Sequence, residues 1–90
     1  MTDMINQAAN DRAAVAATGD PAMLMLAFGM KYATGEDGEP DLVAAHKWFN
    51  LAAMRGSTEA ARLRREVAAE MSPAEIAAAQ RAARDWLATH

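Results

Sequence analysis

The residues that could carry out chemistry in this chain are few and far apart. Its two histidines are His46 and His90, and neither has a partner at the spacing of a catalytic pair or a metal site. The chain contains no cysteine, which excludes a thiol nucleophile and a cysteine-ligated zinc site. We therefore interpret His46 as a lone surface histidine and predict that the protein is not an enzyme.

Acidic side chains crowd one glycine-containing loop, at Glu36, Asp37, Glu39 and Asp41. Carboxylate oxygens are the ligands that calcium prefers, but the spacing of an EF-hand loop is absent here. Asp41 is better suited to cap the helix that follows it. The sequence therefore predicts neither a metal ion nor a cofactor.

Five of the arginines in the second half of the chain suggest nucleic acid: Arg62, Arg64, Arg65, Arg81 and Arg84. Glutamates lie one helical turn from several of them, as in the pair Arg62 and Glu66. The net charge is −3, whereas nucleic-acid readers are usually basic, so we predict no nucleic-acid partner. The longest uncharged stretch, residues 21–30, is far shorter than the ~20 residues of a membrane span. With no signal-peptide pattern at the N-terminus, the expected location is the cytoplasm.

Helix start and stop signals divide the chain into helical segments. Asp20-Pro21 starts one helix and Gly35 ends it, Asp41 caps the next, and the segment from Ser72 to Glu75 fits a capping box. No alternating run of β-branched residues predicts a strand. The sequence therefore predicts an all-α fold of five helices, over residues 3–18, 21–34, 41–55, 57–70 and 73–88.

The predicted helix over 41–55 has the clearest apolar stripe, which includes Trp48 and Phe49. Because these two are adjacent in sequence, they cannot point the same way; we expect Trp48 inside the hairpin and Phe49 against the next hairpin. Gly29, in the middle of the preceding helix, costs up to ~1 kcal/mol relative to alanine. We interpret it as a place where two helix backbones come close.

The middle of the chain resembles the Sel-1-like repeat, a helical-hairpin relative of the tetratricopeptide repeat. The resemblance rests on residues at the family spacings: Phe28-Gly29, Tyr32, Gly35, Asp41, Ala45, Trp48-Phe49, Ala52-Ala53, Gly56 and Ala60. Three positions depart from the family pattern, namely Leu24, Phe28 and Asp37.

The resemblance implies a right-handed α-α superhelix within a single domain, 1–90. Residues 21–56 would form one full repeat, 3–19 a degenerate preceding half-repeat, and 57–88 a capping helix pair like that of short bacterial proteins of this kind. The family binds other proteins as an adaptor or regulator and has no catalytic residues to transfer to this chain.

The candidate binding residues lie on the first helix of the full repeat, because the family uses that helix to line a concave face. They are Met23, Met30 and Lys31, with Lys47 and Asn50 as rim groups. Methionine side chains adapt to peptide ligands, although they also serve as adaptable core packing. The expected partner is a protein or peptide; the alternative is a homodimer whose repeat edges pair with each other.

Overall fold

The computed structural model describes residues 20–36 and 38–90, and all regular secondary structure in this part of the chain is helical. It contains four α-helices and no strand: α1 (Pro21–Thr34), α2 (Leu42–Met54), α3 (Thr58–Ala68) and α4 (Pro73–Thr89). The all-α prediction is confirmed at this level. The helix predicted over 3–18 lies outside the described residues.

Each helix begins where a side chain accepts a hydrogen bond from a free backbone N–H of the first turn. The oxygens of Asp20, Asp41 and Ser57 each accept such a bond at 3.0 Å. At the start of α4, Ser72 accepts from the Glu75 N–H, while Glu75 accepts from the Ser72 N–H at 2.8 Å. The capping box predicted from the sequence is therefore present.

The end of α1 depends on Gly35, which adopts the left-handed conformation with φ of 69°. Its N–H donates to the carbonyl of Lys31 at 3.2 Å. A Cβ at this position would lie 2.6 Å from the carbonyl oxygen of Gly38, so a side chain fits neither the backbone angle nor the space. The loop then returns to α1, since the Asp41 N–H donates to the Tyr32 carbonyl at 2.9 Å.

α2 is the central helix of the described fold, because it packs against α1, α3 and α4. No other pair of described helices packs to a comparable extent. Its side chains are accordingly buried on more than one side, and Ala45, Phe49, Leu51 and Ala52 are all at most 1% exposed. The other three described helices, α1, α3 and α4, are thus held in the fold mainly by their packing against α2.

Gly29 lies against α2, but the group that comes close to it is the side chain of Phe49 and not the backbone that the sequence predicted. A Cβ on Gly29 would lie 3.1 Å from Cγ of Phe49, and closer still to two other atoms of that ring. Phe49 therefore packs inside the α1–α2 hairpin rather than against the next one, and that part of the sequence prediction is wrong. Trp48 instead contacts Phe28 of α1 and Trp86 of α4.

The described helices end close to the predicted positions, and none is long and apolar enough to cross a membrane. The right-handed superhelix and the repeat boundaries stay predictions. The half-repeat predicted over 3–19 falls outside the residues that the structure describes.

Candidate interaction surface

The most apolar exposed surface of the described chain lies on α1. Five of the seven large hydrophobic residues exposed in the described part belong to this helix: Met23, Leu24, Phe28, Met30 and Tyr32. The other two, Met54 and Leu87, lie on α2 and α4. Exposed apolar side chains are thus concentrated on one helix instead of being scattered.

α1 has apolar residues on every side, which explains why most of the exposed apolar side chains belong to it. Its buried side, formed by Ala22, Met25 and Gly29, faces the rest of the fold. On the opposite side lie Met23, Leu24, Ala27, Met30 and Lys31, which we call the outer face of α1. Lys31 is the only charged residue among the fourteen of α1. A helix that is apolar all round is normally buried all round.

A row of aromatic rings runs from the edge of this face across the centre of the fold. The ring centroids of Phe28 and Trp48 are 5.0 Å apart, and those of Trp48 and Trp86 are 5.8 Å apart. His90 stacks on Trp86 at 4.4 Å. Tilted and edge-on pairs of this kind are the favoured aromatic arrangements, so the row links α1, α2 and α4.

The structure brings together three of the five predicted binding residues. Met23 and Met30 are each 49% exposed on α1, with Lys31 on the same face. Met25, the remaining methionine of this helix, is instead buried in the core at 4% exposure. The Lys31 ammonium lies 5.8 Å from the ring of Tyr32, where a cation–π attraction operates.

The other two predicted residues are engaged within the fold. The ammonium of Lys47 sits 4.4 Å above the ring of Trp48, on the aromatic row. The side-chain oxygen of Asn50 accepts a hydrogen bond from Arg64, which ties α2 to α3. Asn50 therefore holds two helices together and is not part of the outer face of α1.

His46 is buried, with 4% of its surface exposed, so its interpretation as a surface histidine is wrong. Its Nδ1 atom is buried and has no hydrogen-bond partner. Burial lowers the pKa of His46, and the positive charge of Arg64 lowers it further. Both effects favour the neutral form of the histidine, which lies near Arg64.

On the exposed side of α3, Arg62 pairs with acidic residues of the same helix. Arg62 forms ion pairs with Glu59 at 2.6 Å and with Glu66 one turn further on, as the sequence predicted for the second pair. The hydrogen bond from Arg62 lowers the pKa of Glu59 and raises that of Arg62. Exposed ion pairs of this kind are typical of a helix face in contact with solvent.

A recess of about 200 Å³ lies between the end of α1 and the loop that follows, lined by Lys31, Tyr32, Gly35, Gly38, Glu39 and Asp41. One oxygen of Asp41 already caps α2. Across residues 20–36 and 38–90, no group of three or more histidine, aspartate or glutamate side chains could hold a metal ion. Of the surfaces described, the outer face of α1 is thus the best candidate for binding a ligand.

Comparison with known proteins finds no matching family model, no similar curated protein and no similar solved structure. The resemblance to Sel-1-like repeats therefore stays a prediction from the sequence.

Sequence reasoning did not include two exposed residues of α1 among the binding residues, namely Leu24 on the outer face and Phe28 at its edge. A signal for them is present, because a stretch of fourteen helical residues with one charge predicts a helix with no solvated side.

Proposed function

We propose that this protein is a non-catalytic protein–protein interaction module that binds a protein or peptide through the outer face of α1. The observation that carries the proposal is the exposure of Met23 and Met30, with Leu24 between them on the same helix. Contiguous exposed apolar surface on a small domain typically marks a place where a partner binds.

The chemistry of the face favours a peptide or protein over a small molecule. Two flexible methionine side chains can adapt to a partner's shape, and the small Ala27 between them leaves room for it. The supporting helix is rigidly held, because its buried side packs on α2 through Gly29 and Phe49. A preorganised surface loses little entropy on binding.

The proposal takes the protein to be an adaptor or regulator in the cytoplasm, needing neither cofactor nor metal. It also adopts the Sel-1-like arrangement, in which α1 lines the concave side of a right-handed superhelix. Lys31 would supply a positive charge at the rim of the face, so an acidic group beside the partner's apolar residues is expected.

The test replaces Met23 and Met30 together by glutamine, which has a similar length and a similar helix propensity. Wild type and variant are immobilised and used to capture proteins from the native cell extract. We expect the variant to lose partners that the wild type retains, with its circular dichroism unchanged.

The chain offers a matched control, Met54→Gln, because Met54 is 61% exposed at the end of α2. This variant should retain the same proteins as the wild type. Equal retention by all three proteins would overturn the assignment of binding to α1, and collapse of the double variant's helical signal would show that the methionines are structural.

A further inference from the structure

Ala27 occupies the centre of the outer face of α1. In an α-helix, each residue is rotated by about 100° from the one before it, so Ala27 lies almost opposite the buried residues Met25 and Gly29. Its side chain is exposed and is the smallest on the face. A second helix that crossed α1 here could approach closely, because interaxial distances depend on side-chain size at the crossing point.

The rest of the face is arranged symmetrically about Ala27. Leu24 and Met30 each lie three residues from it, and Met23 and Lys31 each lie four residues from it. When the same face of a second chain lies antiparallel, with the two copies of Ala27 in contact, Met23 meets Met30 of the second copy, because these two residues lie on the same flank of the face. Leu24, on the other flank, then meets the aliphatic stem of Lys31 of the second copy. This is the self-complementarity that a two-fold interface requires.

The charges on this helix favour the same orientation. Asp20 caps the start of α1 and Lys31 lies in its last turn. An antiparallel pair places Lys31 of one copy one turn from Asp20 of the other, whereas a parallel pair places like charges together. The helix dipoles also oppose each other in the antiparallel pair, which is favourable.

We propose that the outer face of α1 binds a second copy of this chain, with α1 antiparallel to its counterpart and the two-fold axis beside Ala27. The proposal rests on the proposed function, because it names the partner of the same surface. Side chains that are one-third to one-half exposed supply on the order of 400 Å² per copy, about half of a standard interface. The dimer is therefore weak, forming at micromolar concentrations or above.

The experiment uses a cysteine in the full chain, which has none of its own. Ala27→Cys places one thiol on each side of the proposed axis, and Ala74→Cys places an exposed thiol on α4 as the control. Both variants are oxidised over a concentration series, and unoxidised samples are labelled with a thiol reagent. The control thiol lies in the first turn of α4, where position 74 is exposed.

We expect Ala27→Cys to form a disulfide-linked dimer at least about tenfold faster than Ala74→Cys, because pairing raises the effective concentration of its thiols. Adding Met30→Glu should abolish the difference, since it puts a charge against Met23 of the second copy. Equal rates with a freely labelled thiol at position 27 would overturn the dimer but leave the face open to another partner. A thiol at position 27 that neither cross-links nor labels would overturn both proposals, because the chain itself then covers the face.

Discussion

At the scale of residues, Gly29 is the position where α1 leaves room for a side chain of α2. The ring of Phe49 occupies the space where a Cβ would be, and Phe49 is 1% exposed. The helix tolerates the low helix propensity of glycine because the close contact buries a large aromatic side chain.

Gly29→Ala is expected to destabilise the protein, although alanine is the better helix former by up to ~1 kcal/mol. The added methyl group overlaps the Phe49 ring, and overpacking of this kind costs about 1–3 kcal/mol. Urea unfolding followed by circular dichroism measures the loss. In the background of Phe49→Leu, which removes the ring, the cost of Gly29→Ala should shrink or change sign. A Gly29→Ala protein as stable as the wild type would contradict the close contact.

His46 makes the stability of the protein depend on pH. Its pKa in the folded protein lies below the ordinary value of about 6.5, because the side chain is buried and lies near Arg64. The unfolded chain therefore binds the proton more readily than the folded one. His46 therefore does not reduce the free energy of unfolding at pH values well above 6.5. The free energy of unfolding falls as the pH is lowered from about 6.5 towards the folded-state pKa of His46.

We expect His46→Leu to remove most of this pH dependence, and His90→Gln to retain it because His90 is exposed. The measurement is the free energy of urea unfolding between pH 7.5 and pH 5, with carboxylates contributing equally in all three proteins. A wild-type stability that stays level through this range would show that His46 titrates alike in both states.

At the scale of elements, the helix boundaries could be predicted from sequence because each boundary is a local event. An aspartate or serine cap, a proline in the first turn and the left-handed Gly35 act within a few residues of each other. The predicted span of α1 is that observed, and α2 differs by one residue at each end.

The burial of His46 and the packing of Phe49 could not be predicted in this way. Periodicity shows which side of a helix is apolar, but it does not show how many neighbours the helix has. α2 is enclosed by three helices, so residues beyond its apolar stripe are also buried. The outer face of α1 differs in this respect: the spacing of Met23 and Met30 predicts it, and the single charge on this helix is a sequence signal for Leu24 as well.

The capping box at the start of α4 is the element-scale feature with the clearest energetic effect. Ser72→Ala removes the acceptor for the Glu75 N–H, and we expect a loss of about 1 kcal/mol in the free energy of unfolding. Glu66→Gln, which breaks an exposed ion pair with Arg62, should change stability by less than about 0.5 kcal/mol. Thermal or urea unfolding compares the two. If Ser72→Ala cost no more than Glu66→Gln, the cap would contribute no more to stability than an exposed ion pair.

At the scale of the whole molecule, α2 holds the other three helices in place. Among the described helices, α1 and α4 each pack mainly on α2, and Trp48 contacts an aromatic ring from both. A chain of this length has a total stability of about 5–13 kcal/mol. The loss of one central side chain should therefore weaken the whole fold and not one helix alone.

Trp48→Ala tests this cooperativity, because it removes contacts to α1 and α4 together. We expect a loss of about 2–4 kcal/mol, and a smaller one for Phe28→Ala, whose ring is 36% exposed and contacts Trp48 on one side. In Trp48→Ala, Trp86 is the sole remaining tryptophan, so its fluorescence reports on α4 while circular dichroism reports on all helices. The two urea transitions should coincide, because α4 loses its main packing partner when α2 unfolds. A fluorescence transition at lower urea would instead make α4 a separate unit, bound to the rest chiefly through its contact with Trp48.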